Sequence, residues 1–397
     1  MSSIKLKGST SGDVTITVPA VAGTNTVTIP AASGNLPLSN LDHVTNRPNV
    51  KPIIYNGDMA VAQRGTSSSG HSSGGGYLTV DRMSHSFGIG TWTVSQETDA
   101  PTGSGFANSL KMDCTTAGAS PSAGAVLIVV QKLEGQDLQL FKKGTANAEK
   151  MTISFWVKSA KTGTYIMELD DNDNNRTISQ AYTISSANTW EKKVLTFDGD
   201  TTGAFGNDNG ESLRINWWLA AGSNFTSGTL ATSWVTTVNA NRVVGNVNLA
   251  DSTSNDWYLT GVQLEVGEYD STTIPPFQNE SYGDNLARCQ RYYQVIREAN
   301  TAYFANGFMY STTIGIGITD LAVKMRTAPT LVTNSNANQF TFYRAGAADT
   351  VSTFALNSST ESRIAFQNTT EMSGTAGHAG GWYATGADGI VDVNAEF

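Results

Sequence analysis

Met151-Thr152-Ile153-Ser154-Phe155-Trp156-Val157 places an apolar residue at every second position. In an extended chain successive side chains leave on opposite faces. Met151, Ile153, Phe155 and Val157 therefore share one face, and the segment reads as a half-buried β-strand. The same period recurs downstream, with Tyr165, Met167 and Leu169 on one face, Leu213, Ile215, Trp217 and Leu219 on another, and Tyr258, Val262, Leu264 and Val266 on a third. Between these runs lie Asn172-Asp173-Asn174-Asn175 and Gly206-Asn207-Asp208-Asn209-Gly210. Such residues tolerate left-handed backbone and bond locally, so they let strands reverse. The region from about 50 to 280 is expected to form an antiparallel β-sandwich, or jelly roll.

Upstream, Val14-Thr15-Ile16-Thr17-Val18 and Thr26-Val27-Thr28-Ile29 alternate in the same way around Ala22-Gly23 and Asn25. Two strands this short bury no core of their own, so residues 1–45 read as an attachment segment that pairs with other chains or docks on an assembly. A connector containing Pro37, Pro48 and Pro52 follows. Around residues 281–300 the period lengthens, with Leu286, Cys289, Tyr293 and Ile296 three or four apart behind Ser281 or Asp284 as cap. The spacing predicts a connecting helix there. Strand signals return in Phe340-Thr341-Phe342-Tyr343 and Ile390-Val391-Asp392-Val393, so residues 301–397 are expected to form a smaller C-terminal β-sandwich. The chain as a whole reads as all-β.

Composition removes several function classes. The chain of 397 residues has 25 Lys plus Arg against 34 Asp plus Glu, a net charge of -9, opposite to what phosphate contacts need, so nucleic acid is not expected as a partner. The longest wholly apolar run is Ala125 to Val130, and Met1-Ser2-Ser3-Ile4-Lys5 lacks the regions of a signal peptide. Neither secretion nor membrane insertion is expected. Cys114 and Cys289 stand far apart without metal-ligand spacing and read as free thiols. The glycines of Thr66 to Gly76 lack the Gly-Lys-Ser/Thr ending and following helix of a phosphate loop. Of the histidines His43, His71, His85 and His378, none sits in a serine or cysteine nucleophile motif, so no catalytic residue is assigned and the chain reads as non-enzymatic.

Asn56-Gly57-Asp58-Met59-Ala60-Val61-Ala62-Gln63-Arg64-Gly65-Thr66, followed by Thr79-Val80-Asp81-Arg82, resembles the opening of bacteriophage tail fibre and virion structural proteins with a jelly roll like that of carbohydrate-binding modules. The resemblance continues through Ile153 to Ser159, Ala187 to Lys193, Leu259 to Gly267, Ser281 to Tyr293 and Met325 to Thr330, and covers about residues 53–330. Gly8 to Gly12 and Pro19 to Thr26 resemble the leader of such fibres, whereas Met83 stands where relatives often have Trp. The resemblance implies a homotrimeric, adhesive virion fibre. Its residues 1–45 would bind other virion proteins, and the remainder a host-surface glycan or other receptor. It fits a tail fibre or a decoration fibre on the head surface, and a virion-borne polysaccharide depolymerase would carry the same folds.

Two regions compete for the host contact. If Trp217 faces the core, then Arg214 and Trp218 face away from it. By the same parity Trp156 leaves the Met151 face and Glu168 the Tyr165 face. Indoles stack on sugar C–H patches while charged groups meet hydroxyls, so Trp156, Glu168, Arg214 and Trp218 form a candidate glycan platform. Packing against another sheet or subunit is the other use of such tryptophans. In the C-terminal region, the glycine-rich Gly374 to Gly381 reads as a loop presenting His378, Trp382 and Tyr383, the candidate receptor tip. Asp171, Asp173 and Asn175 echo a calcium loop, but Arg176 and Tyr182 occupy the positions of its glycine and glutamate. No cofactor is assigned; structural calcium elsewhere is implied only by the jelly-roll resemblance, with no residues to place it.

Overall fold

A computed structural model describes residues 51–297, 300–334 and 336–397 in full, and of the preceding chain the backbone of two strands, β1 (Ser3–Lys7) and β2 (Asp13–Thr17). These two pair antiparallel, with Ser3 opposite Thr17. The second strand expected there, Thr26 to Ile29, lies outside the described residues. The chain divides into two compact units, Met1–Asn46 and Arg47–Phe397.

The second unit opens with thirteen strands: β3 (Ser67–His71), β4 (Gly74–Tyr77), β5 (Ser84–Phe87), β6 (Thr91–Glu97), β7 (Ser109–Thr116), β8 (Val126–Glu134), β9 (Met151–Ser159), β10 (Gly163–Asp171), β11 (Arg176–Ile184), β12 (Glu191–Phe197), β13 (Glu211–Ala221), β14 (Val235–Thr236) and β15 (Asp256–Val266). They form a 7-stranded sheet ordered β14-β11-β10-β13-β8-β5-β4 and a 6-stranded sheet ordered β12-β9-β15-β7-β6-β3. All pairings are antiparallel, and the apolar faces read from the sequence meet between the sheets. Ile153, Phe155, Val157, Tyr165, Met167, Leu169, Leu213, Ile215 and Trp217 belong to one buried cluster. Phe155 holds Tyr182 and Trp217 edge-on at 5.2 and 6.1 Å. Each large aromatic takes on the order of 200 Å² out of water, about 5 kcal/mol of transfer free energy.

One face differs from the expectation. Trp257 and Leu259, not Tyr258, point into the core, after which Val262, Leu264 and Val266 do. The register slips between Thr260 and Gln263, where Gly261 adopts φ +62. A glycine bulge adds one residue and so exchanges the faces on either side. Tyr258 consequently lies on the outer surface of the six-stranded sheet with Trp156 and Lys158.

Two short α-helices interrupt the strands, α1 (Ser223–Thr226) and α2 (Tyr282–Gln290). Ser281 caps α2, its hydroxyl accepting from the Asp284 amide at 3.2 Å. The helix is shorter than the expected span of 281–300, because Tyr293–Val295 leaves it as β16. The remaining strands are β17 (Tyr303–Met309), β18 (Gly315–Asp320), β19 (Thr330–Thr333), β20 (Phe340–Arg344), β21 (Ala347–Val351), β22 (Ala355–Thr360), β23 (Arg363–Asn368), β24 (Ala379–Ala384) and β25 (Val391–Asn394). They make a 3-stranded sheet, β16-β25-β19, and a 7-stranded sheet, β21-β20-β24-β17-β18-β23-β22, around a second aromatic core.

Candidate functional site

The outer face of the sandwich's seven-stranded sheet carries the side chains that parity sends away from the core. β13 contributes Arg214, Asn216 and Trp218, β8 contributes Ile128, Val130 and Lys132, and β10 contributes Ile166, Glu168 and Asp170. Residues 222–243 cross over this face. Phe225, Leu230 and Val243 cover Ile128, Val130, Ile166 and Trp218 in a separate apolar cluster. This cluster borders a cleft of about 810 Å³ that is also lined by Lys132, Arg214, Asn216 and Arg242, by Tyr77 and Ser86, and by Thr327 and Asn394 to Phe397 from the C-terminal region. Its volume falls in the range of small-ligand sites.

Glu168 organises this cleft from below. The carboxylate is fully buried and accepts from Thr177 Oγ1 (2.7 Å), Asn216 Nδ2 (2.9 Å), Trp218 Nε1 (2.9 Å) and Arg242 Nε and Nη2 (2.6 and 2.8 Å). A buried carboxylate so surrounded has no lone pair left for a ligand. It fixes the indole and the guanidinium instead. Arg242 Nη2 also reaches Asp170 at 3.2 Å, and burial, then the neighbouring Glu168 charge, raises the Asp170 pKa. The other cations of the lining are paired as well. Arg64 meets Glu396 at 3.4 Å, Lys132 meets Glu211 at 3.2 Å, and Arg214 meets Glu211. What the cleft offers a ligand is a neutral mixture of amide, hydroxyl, paired charge and apolar surface.

The expected platform is thus divided. Glu168, Arg214 and Trp218 come together at the cleft, but Trp156 lies on the other sheet, beside Lys192 and Thr260. Trp218 is fully buried, with Phe225 at 5.5 Å and the Arg242 guanidinium 5.2 Å from its ring, so it stacks on protein rather than presenting a free face. Of the four residues Glu168 and Trp218 are fully buried, whereas Trp156 and Arg214 are half-buried, the Arg214 side chain 36% exposed. Around Trp156 the structure adds Trp190 and Tyr258 to the Lys158 that parity places on the same face. Trp190 lies 6.0 Å from Tyr258 and donates to Asp99 at 3.0 Å, and Lys158 sits 4.0 Å over the Tyr258 ring. Arg242 also escaped sequence reading, since its partner Glu168 stands 74 residues away.

The candidate receptor tip is corrected too. Ala379–Ala384 is the strand β24, between β20 and β17, not a presenting loop. Trp382 is fully buried against Phe342 (4.7 Å) and Phe354 (4.9 Å). Tyr383 points the other way, 5.1 Å from Tyr303, and His378 precedes the strand with its carbonyl accepting from Met309 N at 2.9 Å.

The hairpin tip that echoes a calcium loop holds a lysine. Asp171 accepts from the Asp173 and Asn174 amides, both at 3.1 Å, and its second oxygen accepts from Lys143 Nζ. Among the described residues no group of three or more His, Cys, Asp or Glu is placed to hold a metal ion. Cys114 and Cys289 are buried and unpaired. No helix among the described residues is long and apolar enough to cross a membrane.

No family model matches the chain, and no curated protein matches it. Among solved structures it is distantly similar to the enzymatically active domain of tailspike protein 4 of bacteriophage CBA120, at 15% identity and TM-score 0.29, over 54% of this chain and 21% of that one. A putative sugar binding protein from Bacteroides thetaiotaomicron gives 12% identity and TM-score 0.28 over 54% of this chain and all (100%) of that one. The family 11 carbohydrate-binding module of a Clostridium thermocellum cellulosomal cellulase gives 11% and 0.27 over 55% and 96%. This chain spans about a fifth of the tailspike structure it matches, 21% of its length.

Proposed function

We propose that the protein is a non-enzymatic virion fibre of a bacteriophage, and that the cleft beside Arg214 holds a neutral glycan of the host surface. The observation that carries this reading is the cleft itself: about 810 Å³, lined by amides, hydroxyls and apolar patches, with its cations already paired. A sugar chain needs hydroxyl partners and apolar contact together, whereas an anionic ligand would need an unpaired cation. The order of motifs that resemble tail fibres supports the virion setting, as tail fibre or head decoration. In this reading residues 1–45 join the fibre to other virion proteins and to two further copies, because two short strands leave edges that need partner backbone.

Binding of the full chain to purified host surface polysaccharide tests the reading. Arg214→Ala should weaken binding about tenfold, roughly 1.4 kcal/mol, with melting nearly unchanged. Phe225→Ala should weaken it similarly while also lowering the melting temperature, because Phe225 covers Trp218. Neither protein should shorten the polysaccharide. Undiminished binding by both variants would remove the cleft from the mechanism, and released oligosaccharide would make the protein a depolymerase.

A further inference from the structure

The floor of the cleft is a grid of side chains on neighbouring strands. Val130 of β8 lies between Asn216 of β13 and Ser84 of β5, and Ile128 lies in the same way between Trp218 and Ser86. Strands stand about 4.8 Å apart, so Asn216 and Ser84 are roughly 10 Å from each other with an aliphatic side chain between them. Gly75 pairs with Ser86 toward the edge of the sheet, and these small residues keep that half of the floor low. Ile128, Val130 and Phe225 line the cleft as one apolar patch. Asn216 is 3% exposed, and its amide takes one orientation. Nδ2 donates to Glu168 Oε2, an oxygen that also accepts from Trp218 Nε1 and Arg242 Nη2, so a flipped amide would set two acceptors against each other. Oδ1 is therefore left to the cleft, which Asn216 lines and Glu168 does not. Among the described residues it has no hydrogen-bond partner, and neither do the hydroxyls of Ser84 and Ser86. An acceptor this buried is costly to leave without a donor.

We infer that the cleft selects an N-acetylhexosamine unit of the glycan. The acetamido N–H donates to Asn216 Oδ1, the acetyl methyl lies on Ile128, Val130 and Phe225, and ring hydroxyls reach Ser84 and Ser86. A fixed acceptor repels a ligand carbonyl, so the amide enters with its N–H toward Asn216. A hydroxyl in place of the acetamido group would satisfy Oδ1 but leave the apolar patch bare. A free amine would bring a positive charge beside Arg214 and Arg242, whose carboxylate partners are already taken. The inference rests on the glycan reading of the cleft and narrows it to one class of sugar.

Saturation-transfer NMR on the full chain reads this directly, with N-acetylglucosamine, N-acetylgalactosamine and N-acetylmannosamine each set against its parent hexose. At least one N-acetyl sugar should bind at millimolar concentration, with its acetamido methyl the most saturated group, and about tenfold or more tighter than the hexose. Asn216→Ala should bring that sugar down to the level of the hexose. Val130→Ala, which leaves every partner of Glu168 in place, should reduce both the methyl saturation and the preference. The inference is overturned if none of the three N-acetyl sugars binds, if sugar and hexose bind alike, or if Asn216→Ala binds as the parent does. Binding of host polysaccharide that falls with Arg214→Ala, yet is not competed by any N-acetyl sugar, would leave the cleft reading standing and sink this inference alone. Polysaccharide binding undiminished by both Arg214→Ala and Phe225→Ala would remove the two together.

Discussion

Lys143 carries its ammonium to a place where its side chain is 1% exposed, between Asp171 and Asp200. Asp200 Oδ2 lies at 3.0 Å, and the carbonyls of Thr202 and Gly203 accept at 3.0 and 2.8 Å. Two carboxylates and two carbonyls are the ligands a hard divalent cation takes, and here a side chain supplies the positive charge. Calcium or a chelator should accordingly leave the melting temperature unchanged. Lys143→Met should cost about 3–5 kcal/mol in urea unfolding, because it strands buried carboxylates. His85 gives a pH-dependent case. The ring is 1% exposed, and burial pulls its pKa down to about 4 from the ordinary 6.5. The unfolded chain takes up the proton first as pH falls, so the stability present above pH 6.5 is lost progressively down to about pH 4. Relative to His85→Gln, the parent should lose about 3 kcal/mol across that window in urea titrations; parallel curves would contradict it.

At the scale of elements, β24 shows how glycine decides a strand's use. Gly307, Gly315, Gly317 and Gly380 clear the inner face of the sheet around Trp382 and Phe342. Trp382→Ala therefore empties a core site and should destabilise by about 3–5 kcal/mol, read as an earlier denaturation midpoint with loss of near-ultraviolet dichroism. Unchanged stability would mean the indole is not the centre of this core. Gly317→Ala should also destabilise, by about 1–3 kcal/mol, since its Cβ would fall 2.4 Å from the Phe366 ring. The alternation in β9, β10 and β13 was legible in the sequence because one face of each is buried and the period is two. The bulge in β15 was not, since Gly261 reads in sequence as an ordinary strand residue until the register of its partner is known.

At the scale of the molecule, the motif residues that look familiar in sequence hold parts of the chain together. Asn56 donates to the carbonyls of Val61 (2.9 Å) and Asp81 (3.0 Å), and Asn285 of α2 donates to Asp58 at 3.0 Å. Arg82, fully buried, pairs with Glu396 and stacks 3.4 Å over the Tyr292 ring. Glu134 of the sandwich accepts from Arg291 at 2.9 and 2.7 Å and from the Tyr292 hydroxyl. Arg82→Met should lose about 3–5 kcal/mol by leaving the buried Glu396 carboxylate with only the longer Arg64 contact at 3.4 Å. Adding Glu396→Gln should cost less than the sum of the single changes, and additive losses in that double-mutant cycle would show the two to be independent.

By itself the sequence determined the all-β class, the turn positions and the face on which most strand residues lie. These depend on a period of two and on local turn chemistry, both readable within a few residues. It also determined that Trp217 and Trp218 face opposite ways. Only the tertiary structure decided that Trp218 is covered by residues 222–243, that Trp156 belongs to another sheet, and that Trp382 is core while Tyr383 is surface. Parity assigns a side chain to a face but not what that face meets. Cover is set by contacts such as Glu168 with Arg242, 74 residues apart, which no local pattern encodes.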